Sequence, residues 1–199
     1  SSVFGSAVNF RLRRFAGKRV IVTGAAGGVG QTLAELFRAE GANVVGTDVV
    51  ARGGIVGMDL RDERAIEAFA SAAAQELGGL DILCNVAGVQ RFGRLGDITA
   101  AQLRLHTDVN MVAPVLLTQA LVPALAESRG NVVTIASISA TFAQPYNAMY
   151  CASKAAILMA MRSLAIEFAQ QGVRVNCVSP GGIETPMPHT AAKELPADI

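Results

Sequence analysis

Tyr150 and Lys154 are four residues apart in the segment MYCASK, which spans residues 149–154. On a helix this spacing places two side chains on the same face, about one turn apart. A nearby ammonium group favours the phenolate form of a tyrosine, so such a pair would suit proton transfer to or from a substrate oxygen. The same spacing also occurs on helix surfaces that have no function. The rest of the chain must distinguish a catalytic pair from a helix surface.

A glycine-rich turn follows the first predicted strand, Arg19–Thr23, and precedes a predicted helix. Residues 23–30 read TGAAGGVG, which places glycine at positions 24, 28 and 30. Glycine lets the backbone turn sharply and lets a pyrophosphate approach the amides at a helix N-terminus. A purely structural turn would use glycine as well. The position of this turn in the first strand-helix unit favours a dinucleotide site.

Two acidic residues at strand ends bear on the choice of dinucleotide. Asp48 ends the second predicted strand, where the adenosine ribose would lie. A carboxylate there accepts hydrogen bonds from both ribose hydroxyls and repels a 2′-phosphate, which favours NAD over NADP. Arg52 is close enough in sequence to soften this preference. Asp59, at the end of the third strand, would reach the adenine edge or cap the following helix.

The composition indicates one domain spanning residues 1–199. Hydrophobic residues make up 51% of the chain and charged residues 17%, with 20 glycines and no tryptophan. This composition suits a largely buried parallel sheet flanked by helices. The formal net charge of +1 gives no electrostatic basis for binding nucleic acid or an acidic membrane. Residues 1–18 are interpreted as an arm, because their basic cluster follows their apolar part, the reverse of a signal peptide.

Short apolar runs alternate with helical patterns along the chain. The predicted strands are residues 19–23, 43–48, 55–59, 80–88, 131–137 and 174–181. The predicted helices are residues 29–40, 62–77, 100–126 and 150–171, and Gly41, Gly78 and Gly172 are their expected C-caps. This order predicts an α/β fold, a Rossmann-type doubly wound parallel sheet with helices on both faces. Ligands of such sheets bind beyond the carboxyl ends of the strands.

Cysteine and histidine usage indicates a reducing compartment and no metal site. Cys84, Cys151 and Cys177 are an odd number without CxxC spacing, so we interpret them as buried thiols of a cytoplasmic protein. The two histidines, His106 and His189, are too few and too far apart for metal ligation. The uncharged stretch of residues 109–126 contains polar residues and two prolines, which favours a buried interface helix over a membrane span.

Several segments together resemble the short-chain dehydrogenase/reductase family, in its plain oxidoreductase branch. Besides TGAAGGVG these are NVAG at residues 85–88, VN at 109–110, IASISA at 135–140 and YCASK at 150–154. The resemblance covers residues 19–187 in the family's order, with Ser137 thirteen residues before Tyr150. It implies an oxidoreductase that interconverts a secondary alcohol and a ketone and uses NAD in preference to NADP.

The resemblance assigns a role to each of four residues. Tyr150 would be the general acid/base, and Lys154 would lower its pKa and hold the nicotinamide ribose. Ser137 would bind the substrate oxygen, and the thirteen-residue interval favours it over Ser139. Asn110 would hold a water molecule in a proton relay from Lys154 to solvent.

The resemblance also extends to SPGGIETPM at residues 179–187, where the turn would cover the nicotinamide and bond its carboxamide. Val86 replaces the second asparagine of the family's NNAG, and we expect strand packing and ribose contact to survive that change. The predicted cofactor-binding residues are Gly24, Gly28, Val29, Gly30, Asp48, Asp59, Leu60, Asn85, Ala87, Gly88, Tyr150, Lys154, Pro180, Gly181, Ile183 and Thr185. The predicted substrate-pocket residues are Gln90, Ile138, Gln144 and Tyr146.

The family normally continues past this sequence through a substrate-covering loop, a further helix and a seventh strand. Residues 186–199 would begin that loop, and we expect the sequence to be a truncated or partly ordered chain. The resemblance implies a small alcohol or ketone as substrate, and a homodimer or homotetramer formed through the helices near Ala100 and Tyr150. An NADP-dependent 3-oxoacyl-[acyl-carrier-protein] reductase and a non-catalytic NAD-binding regulatory or assembly module are the alternatives. His106 is expected to be a packed or interface histidine.

Overall fold

Six parallel strands form one sheet in the order β3-β2-β1-β4-β5-β6 in the computed structural model, which describes residues 13–184. The strands are β1 (Arg19–Thr23), β2 (Asn43–Asp48), β3 (Val56–Gly57), β4 (Ile82–Asn85), β5 (Asn131–Ile135) and β6 (Arg174–Val178). The helices are α1 (Gly28–Ala39), α2 (Glu63–Leu77), α3 (Ala100–Thr107), α4 (Ala113–Ser128) and α5 (Ala148–Glu167). The predicted doubly wound sheet is confirmed, and its strand order reverses between β1 and β4.

The sheet is covered on both faces because successive strand residues alternate between two cores. Ile21 of β1 belongs to a core that includes Leu117 of α4 and Ile157 of α5, as well as apolar residues of α2. Val20, the preceding residue, packs on the opposite face with Phe37 of α1. Strands buried on both sides are expected to be continuous apolar runs, as these are. The two cores hold the carboxyl ends of β1, β4 and β5 in fixed positions beside one another.

The ends of α2 show how the sequence sets a helix boundary. Asp62 accepts hydrogen bonds from the backbone N–H groups of Arg64 at 3.0 Å and Ala65 at 3.2 Å, so it caps the helix instead of lying inside it as predicted. Gly78 adopts a left-handed conformation with φ of 68° and ends the helix, as the sequence predicted.

Predicted boundaries are wrong where apolar sequence continues beyond regular structure. Strands β3, β4, β5 and β6 are all shorter than predicted, and β4 ends at Asn85 instead of residue 88. Val86, Ala87 and Gly88 after β4, and Pro180 and Gly181 after β6, are apolar or glycine and line a cavity, described below. The single helix predicted for residues 100–126 is instead α3, a π-helical segment (Asp108–Val112) and α4 in succession.

Two apolar helical stretches in the described part of the chain would be long enough to span a membrane. They are Ala100–Ser128 and Ala148–Glu167. In the structure both contribute to the core: Leu121 and Leu125 of α4 and Met161 of α5 are almost completely buried. Packing against the sheet accounts for these buried residues, whereas Met159 and Ile166 of α5 are exposed.

Candidate active site

A cavity of about 590 Å³ opens at the carboxyl ends of β1, β4 and β5. This is the crevice beside the reversal of strand order, where ligands of doubly wound sheets bind. The cavity is lined by Gly24, Gly27, Gly28, Val29, Gly30, Asp48, Val86, Ala87, Gly88, Gln90, Phe92, Ile135, Ala136, Ser137, Ile138, Ser139, Gln144, Tyr150, Lys154, Pro180, Gly181, Gly182 and Ile183. Most residues predicted to bind cofactor or substrate therefore meet in one place.

Ser137 and Tyr150 are brought together from the end of β5 and the first turn of α5. Ser137 is 7% exposed, and it lines the cavity together with Tyr150. Burial raises the pKa of Tyr150 above its ordinary value, and the neighbouring Ser137 hydroxyl opposes this rise. The predicted lowering of this pKa by Lys154 is not found for the protein's own groups, because burial has the largest effect and Lys154 is not among the groups that shift the pKa.

Lys154 lies one helical turn after Tyr150 and reaches the same cavity. Its Nζ donates a hydrogen bond to the backbone carbonyl of Ile135 at 2.7 Å and lies 5.7 Å from the centroid of the Tyr150 ring. The residue is only 4% exposed, and burial lowers the pKa of its ammonium group from 10.5 to about 8. Lys154 is thus mainly charged at neutral pH, at a cost in stability.

That cost predicts a pH-dependent difference between the wild type and Lys154→Met. Because the folded-state pKa is lowered, the unfolded chain binds more protons between about pH 8 and 10.5, and the free energy of unfolding of the wild type rises with pH there. The methionine variant lacks this contribution. From about pH 7 to pH 10, urea unfolding should show the wild type gaining about 2 kcal/mol relative to the variant. If the difference in free energy of unfolding between the two proteins does not change with pH, Lys154 is not a buried ammonium group.

Asn110 lies in the π-helical segment and is 1% exposed. Its Oδ1 accepts from the N–H of Val89 at 2.8 Å, and its Nδ2 donates to the Val89 carbonyl at 2.9 Å and to Ser153 Oγ at 2.9 Å. Asn110 does not line the cavity. It anchors the segment after β4 to α5, and both of its donors are used.

The glycine turn has a geometry that admits no side chain at Gly30. A Cβ there would lie 2.1 Å from the carbonyl oxygen of Gly24, and one at Gly24 would lie 3.0 Å from the backbone of Ala87. Gly24 and Gly28 also have positive φ angles of 70° and 52°. The turn leads into α1, whose N-terminus has no side-chain cap and no acidic residue in its first turn.

Asp48 lies beside this turn. Its Oδ2 accepts from the Ala26 N–H at 3.0 Å, and its Oδ1 accepts from the Val49 N–H at 2.7 Å. The guanidinium group of Arg52 donates to the Ala26 carbonyl. A carboxylate and a cation therefore share the place where the sequence predicts the adenosine ribose.

A second cavity of about 320 Å³ adjoins the first, since both are lined by Gly24, Asp48, Ala87 and Gly88. Asp59 and Leu60 line the second cavity only. Asp59 pairs with Arg61 at 2.5 Å, and the hydrogen bond from Arg61 lowers the pKa of its carboxyl group. Because Asp62 caps α2, the alternative role of Asp59 as that cap is excluded.

Besides Asn110, two further predicted site residues line neither cavity. Asn85 is 2% exposed and donates to Thr134 at 3.2 Å and Thr118 at 3.4 Å, so it packs β4 against β5 and α4 and does not support the predicted ribose contact. Tyr146 lines neither cavity. Its ring instead lies beside Arg94, 5.7 Å from the guanidinium carbon to the ring centroid. Thr185 lies outside the described residues.

Sequence reasoning missed Thr23 and Phe92. The Thr23 hydroxyl accepts hydrogen bonds from the N–H groups of Val86 and Ala87, both at 3.0 Å, and so fixes the end of β4 against β1. The position of Thr23 directly before the glycine turn could have indicated its role. Phe92 lines the main cavity from a loop whose sequence has no regular pattern.

His106 is a packed residue, as predicted, and is 1% exposed. Its Nε2 accepts from the Arg91 N–H at 3.0 Å, and its Nδ1 lies 2.8 Å from the Gln102 carbonyl, to which it donates. The Arg91 bond fixes the loop that carries Gln90 and Phe92 to the cavity wall. His106 therefore stabilises the loop that lines the cavity without lining the cavity itself.

Removing this support should weaken both stability and substrate binding. In His106→Leu the Arg91 N–H loses its partner, which should lower the free energy of unfolding by about 1–3 kcal/mol. His106→Gln retains an acceptor near the Nε2 position and should recover part of the loss. KM should rise more than kcat falls in the leucine variant, since the loop lines the cavity. Equal loss in both variants would argue against a role for the Arg91 bond.

The three cysteines are free thiols. Cys84 is buried, which raises the pKa of its thiol to about 12, whereas Cys151 and Cys177 are only partly buried, contrary to the expectation for all three. Among residues 13–184 no group of three or more His, Cys, Asp or Glu side chains is arranged to hold a metal ion.

Comparison with known proteins places these motifs in a family. The family model described as short chain dehydrogenase matches residues 18–196. Oxidoreductase UcpA of Salmonella typhimurium is 33% identical over 201 residues, covering 93% of this chain and 76% of that protein. The 2,5-dichloro-2,5-cyclohexadiene-1,4-diol dehydrogenase LinX of Sphingobium indicum is 34% identical over 202 residues, covering 94% of this chain and 79% of that protein.

A solved structure agrees with the fold. The short chain dehydrogenase of Burkholderia cenocepacia in complex with NADP has a TM-score of 0.82 and 32% identity, covering 87% of this chain and 78% of that one. The family match spans nearly the whole chain and includes the glycine turn, Ser137, Tyr150 and Lys154. This protein therefore belongs to the short-chain dehydrogenase family.

Proposed function

We propose that this protein is an NAD-dependent oxidoreductase that interconverts a secondary alcohol and a ketone. The observation that carries the proposal is that Ser137, Tyr150 and Lys154 line the same cavity as the glycine turn. A proton-transfer group and a dinucleotide-binding turn are then within reach of one substrate. The names of two relatives, an oxidoreductase and a diol dehydrogenase, support the same reaction class.

The residues of the cavity fit a dinucleotide. Gly24 and Gly30 keep the turn free of side chains, and the uncapped amides at the start of α1 suit a pyrophosphate. Asp48 would accept the adenosine ribose hydroxyls, and Asp59 and Leu60 would face the adenine. Pro180, Gly181 and Ile183 would hold the nicotinamide, together with Thr185. When bound, the nicotinamide would accept or return the hydride, and its positive ring would favour the phenolate of Tyr150.

The chain's own residues would manage the proton. In the oxidative direction the Tyr150 phenolate takes the hydroxyl proton of the alcohol, so the O–H bond breaks as the carbonyl forms. Ser137 holds the substrate oxygen close to the phenol. Lys154 supplies a positive charge one turn away, and a water held by the oxygen atoms of Asn110 would carry the proton towards solvent. In the reductive direction Tyr150 returns the proton to the oxygen.

A second candidate, an NADP-dependent 3-oxoacyl-[acyl-carrier-protein] reductase, is favoured by Arg52. Such a reductase would need a basic residue near the glycine turn to bind the 2′-phosphate, and the Arg52 guanidinium donates to the Ala26 carbonyl there. The Burkholderia cenocepacia enzyme, whose structure was solved in complex with NADP, also has this fold. We favour NAD because Asp48 places a carboxylate beside the same turn.

Asp48→Asn should reduce the preference for NAD. The asparagine keeps an oxygen for the Ala26 N–H but removes the charge that repels a 2′-phosphate, so the NAD/NADP ratio of kcat/KM should fall by about tenfold. Arg52→Gln is the matched variant, and it should raise the same ratio. If the wild type already prefers NADP, the proposed cofactor is wrong and the reductase alternative is favoured.

We also propose a cytoplasmic homodimer or homotetramer. Met159 and Ile166 on α5 are 62% and 81% exposed, which supports contact with a second subunit through this helix. Light scattering of the purified protein tests the assembly, and a monomer at micromolar concentration would refute it.

The proposed activity is tested with the full-length gene product. It should form NADH, measured by absorbance, when incubated with NAD and a panel of cyclic, steroidal and acyl alcohols. The non-enzymatic alternative, an NAD-binding regulatory or assembly module, predicts NAD binding in calorimetry with no turnover on any substrate. That second result would overturn the proposal.

A further inference from the structure

Gln144 has an amide group that is fixed at the cavity wall. It lies in the loop between the turn after β5 and the start of α5, and it lines the main cavity with Ser137 and Tyr150. Its Oε1 accepts from Asn147 Nδ2 at 2.7 Å and from Ser139 Oγ at 3.2 Å. Asn147 is fully buried and Ser139 is 5% exposed, so both anchors belong to the rigid frame.

Fixing one end of this amide fixes the other, because the group is planar. With Oε1 held by two donors, the Nε2 group is oriented as well, and within residues 13–184 no acceptor for it is found. An NH₂ group is a donor only. Gln144 therefore presents a donor whose complement is an oxygen atom of a bound molecule.

The position of this donor is tied to the reacting groups. Ser139, which anchors Gln144, also donates its backbone N–H to Ser137 Oγ at 3.1 Å. Ser137 in turn lines the cavity together with Tyr150. The donor of Gln144 is thus held at a set place relative to the site where the substrate oxygen would bind. Phe92 and Ile138 line the same cavity with apolar surface, which suits a carbon skeleton.

We propose that Gln144 selects substrates that carry a second oxygen, a hydroxyl or carbonyl group on the same small skeleton as the reacting alcohol. The inference rests on the proposed dehydrogenase activity and names its substrate class: diols, hydroxy-ketones and sugars, in preference to simple alcohols. A substrate without the second oxygen makes one hydrogen bond fewer to the anchored amide, which lowers transition-state binding.

Matched substrates test this. The full-length protein is assayed with NAD on cyclohexanol and the vicinal cyclohexanediol, and on a tetrahydropyranol and a pyranose sugar. The wild type should have a higher kcat/KM for the member with more oxygens. Gln144→Glu, which replaces the donor by a carboxylate of the same shape, and Gln144→Leu should each lower that ratio by about tenfold.

Two controls separate the donor from general effects on the pocket. Gln90→Leu removes an amide from the same cavity that has no comparable anchor, and it should change the ratio less than Gln144→Leu does. Asn147→Ser, which shortens the anchor, should lower the ratio although Gln144 is retained. The inference is overturned if the wild type has equal kcat/KM for the two substrates of each pair. It is also overturned if the ratio of these kcat/KM values is unchanged in both Gln144 variants. Either result leaves the dehydrogenase proposal intact. Absence of NADH formation with every substrate overturns both.

Discussion

Tyr150→Phe is expected to lower kcat/KM for alcohol oxidation by roughly 10²- to 10⁴-fold while leaving NAD affinity within a few-fold of the wild type. The phenylalanine keeps the ring that lies 5.7 Å from the Lys154 ammonium but has no oxygen to take the substrate proton. Because the loss is in the chemical step, kcat should fall more than KM changes.

The chain offers a matched control, since it contains two tyrosines, Tyr150 and Tyr146. Tyr146 is four residues from Tyr150 but lines neither cavity, and phenylalanine would preserve its ring beside Arg94. Tyr146→Phe should therefore retain near-normal kcat/KM. Steady-state kinetics and calorimetric titration with NAD check both variants. Full activity in Tyr150→Phe would remove this residue from the mechanism.

Gly30→Ala should abolish productive cofactor binding. The added Cβ would lie 2.1 Å from the carbonyl oxygen and 2.6 Å from the carbonyl carbon of Gly24, so the backbone of the turn must move by more than an ångström. A displacement of that size in a positioning element costs roughly 10²-fold in rate. NAD affinity should fall with it, since the turn carries the amides proposed to meet the pyrophosphate.

Gly27→Ala in the same turn is the steric control. Gly27 has an extended conformation with φ of −166°, and a Cβ there would meet nothing within 4 Å. Its free energy of unfolding should stay close to that of the wild type, whereas Gly30→Ala should be destabilised by about 1–3 kcal/mol. Equal stability and equal NAD affinity of the two variants would show that the turn does not require glycine at position 30.

Local spacing predicted most of the candidate site because its residues are fixed by regular elements. Tyr150 and Lys154 needed only the geometry of one helix, and the strand and helix around TGAAGGVG placed the glycine turn at the first strand end. The first two inferences depend on periodicity, which a sequence displays directly. The choice of Ser137 depended instead on the resemblance to the family, whose thirteen-residue interval it matches, and the sheet brings Ser137 to the same cavity.

Other properties depend on tertiary surroundings and could not be read in this way. Asn85 ends β4 but turns into the interior, because Thr118 and Thr134 supply its partners there. Tyr146 lies close to Tyr150 in sequence, yet its positive φ of 62° belongs to a loop whose path no local pattern specifies. The rise in the pKa of Tyr150 comes from burial, which is a property of the assembled cavity.

The π-helical segment is a further feature that the sequence did not predict. Residues 100–126 contain no glycine, and their two prolines, Pro114 and Pro123, lie after the point where the helix changes, so one continuous helix was predicted. The structure inserts Asp108–Val112 with wider hydrogen bonding, which brings Asn110 to Val89 and Ser153. Such insertions are common at functional sites. The buried amide of Asn110 was the signal of this site, although it did not reveal the change of helix type.

Transfer of deuterium is the most direct test of the central claim that this cavity carries out hydride transfer with Tyr150 as its acid/base. The full-length protein is incubated with NAD and a secondary alcohol labelled with deuterium at the carbinol carbon, and the reduced cofactor is examined by mass spectrometry. Each NADH formed should carry one deuterium, in equal amount to the ketone, and Tyr150→Phe should form almost none. Saturable binding of NAD without any label in the cofactor, across the whole panel of alcohols, would contradict this claim and favour a non-catalytic NAD-binding protein.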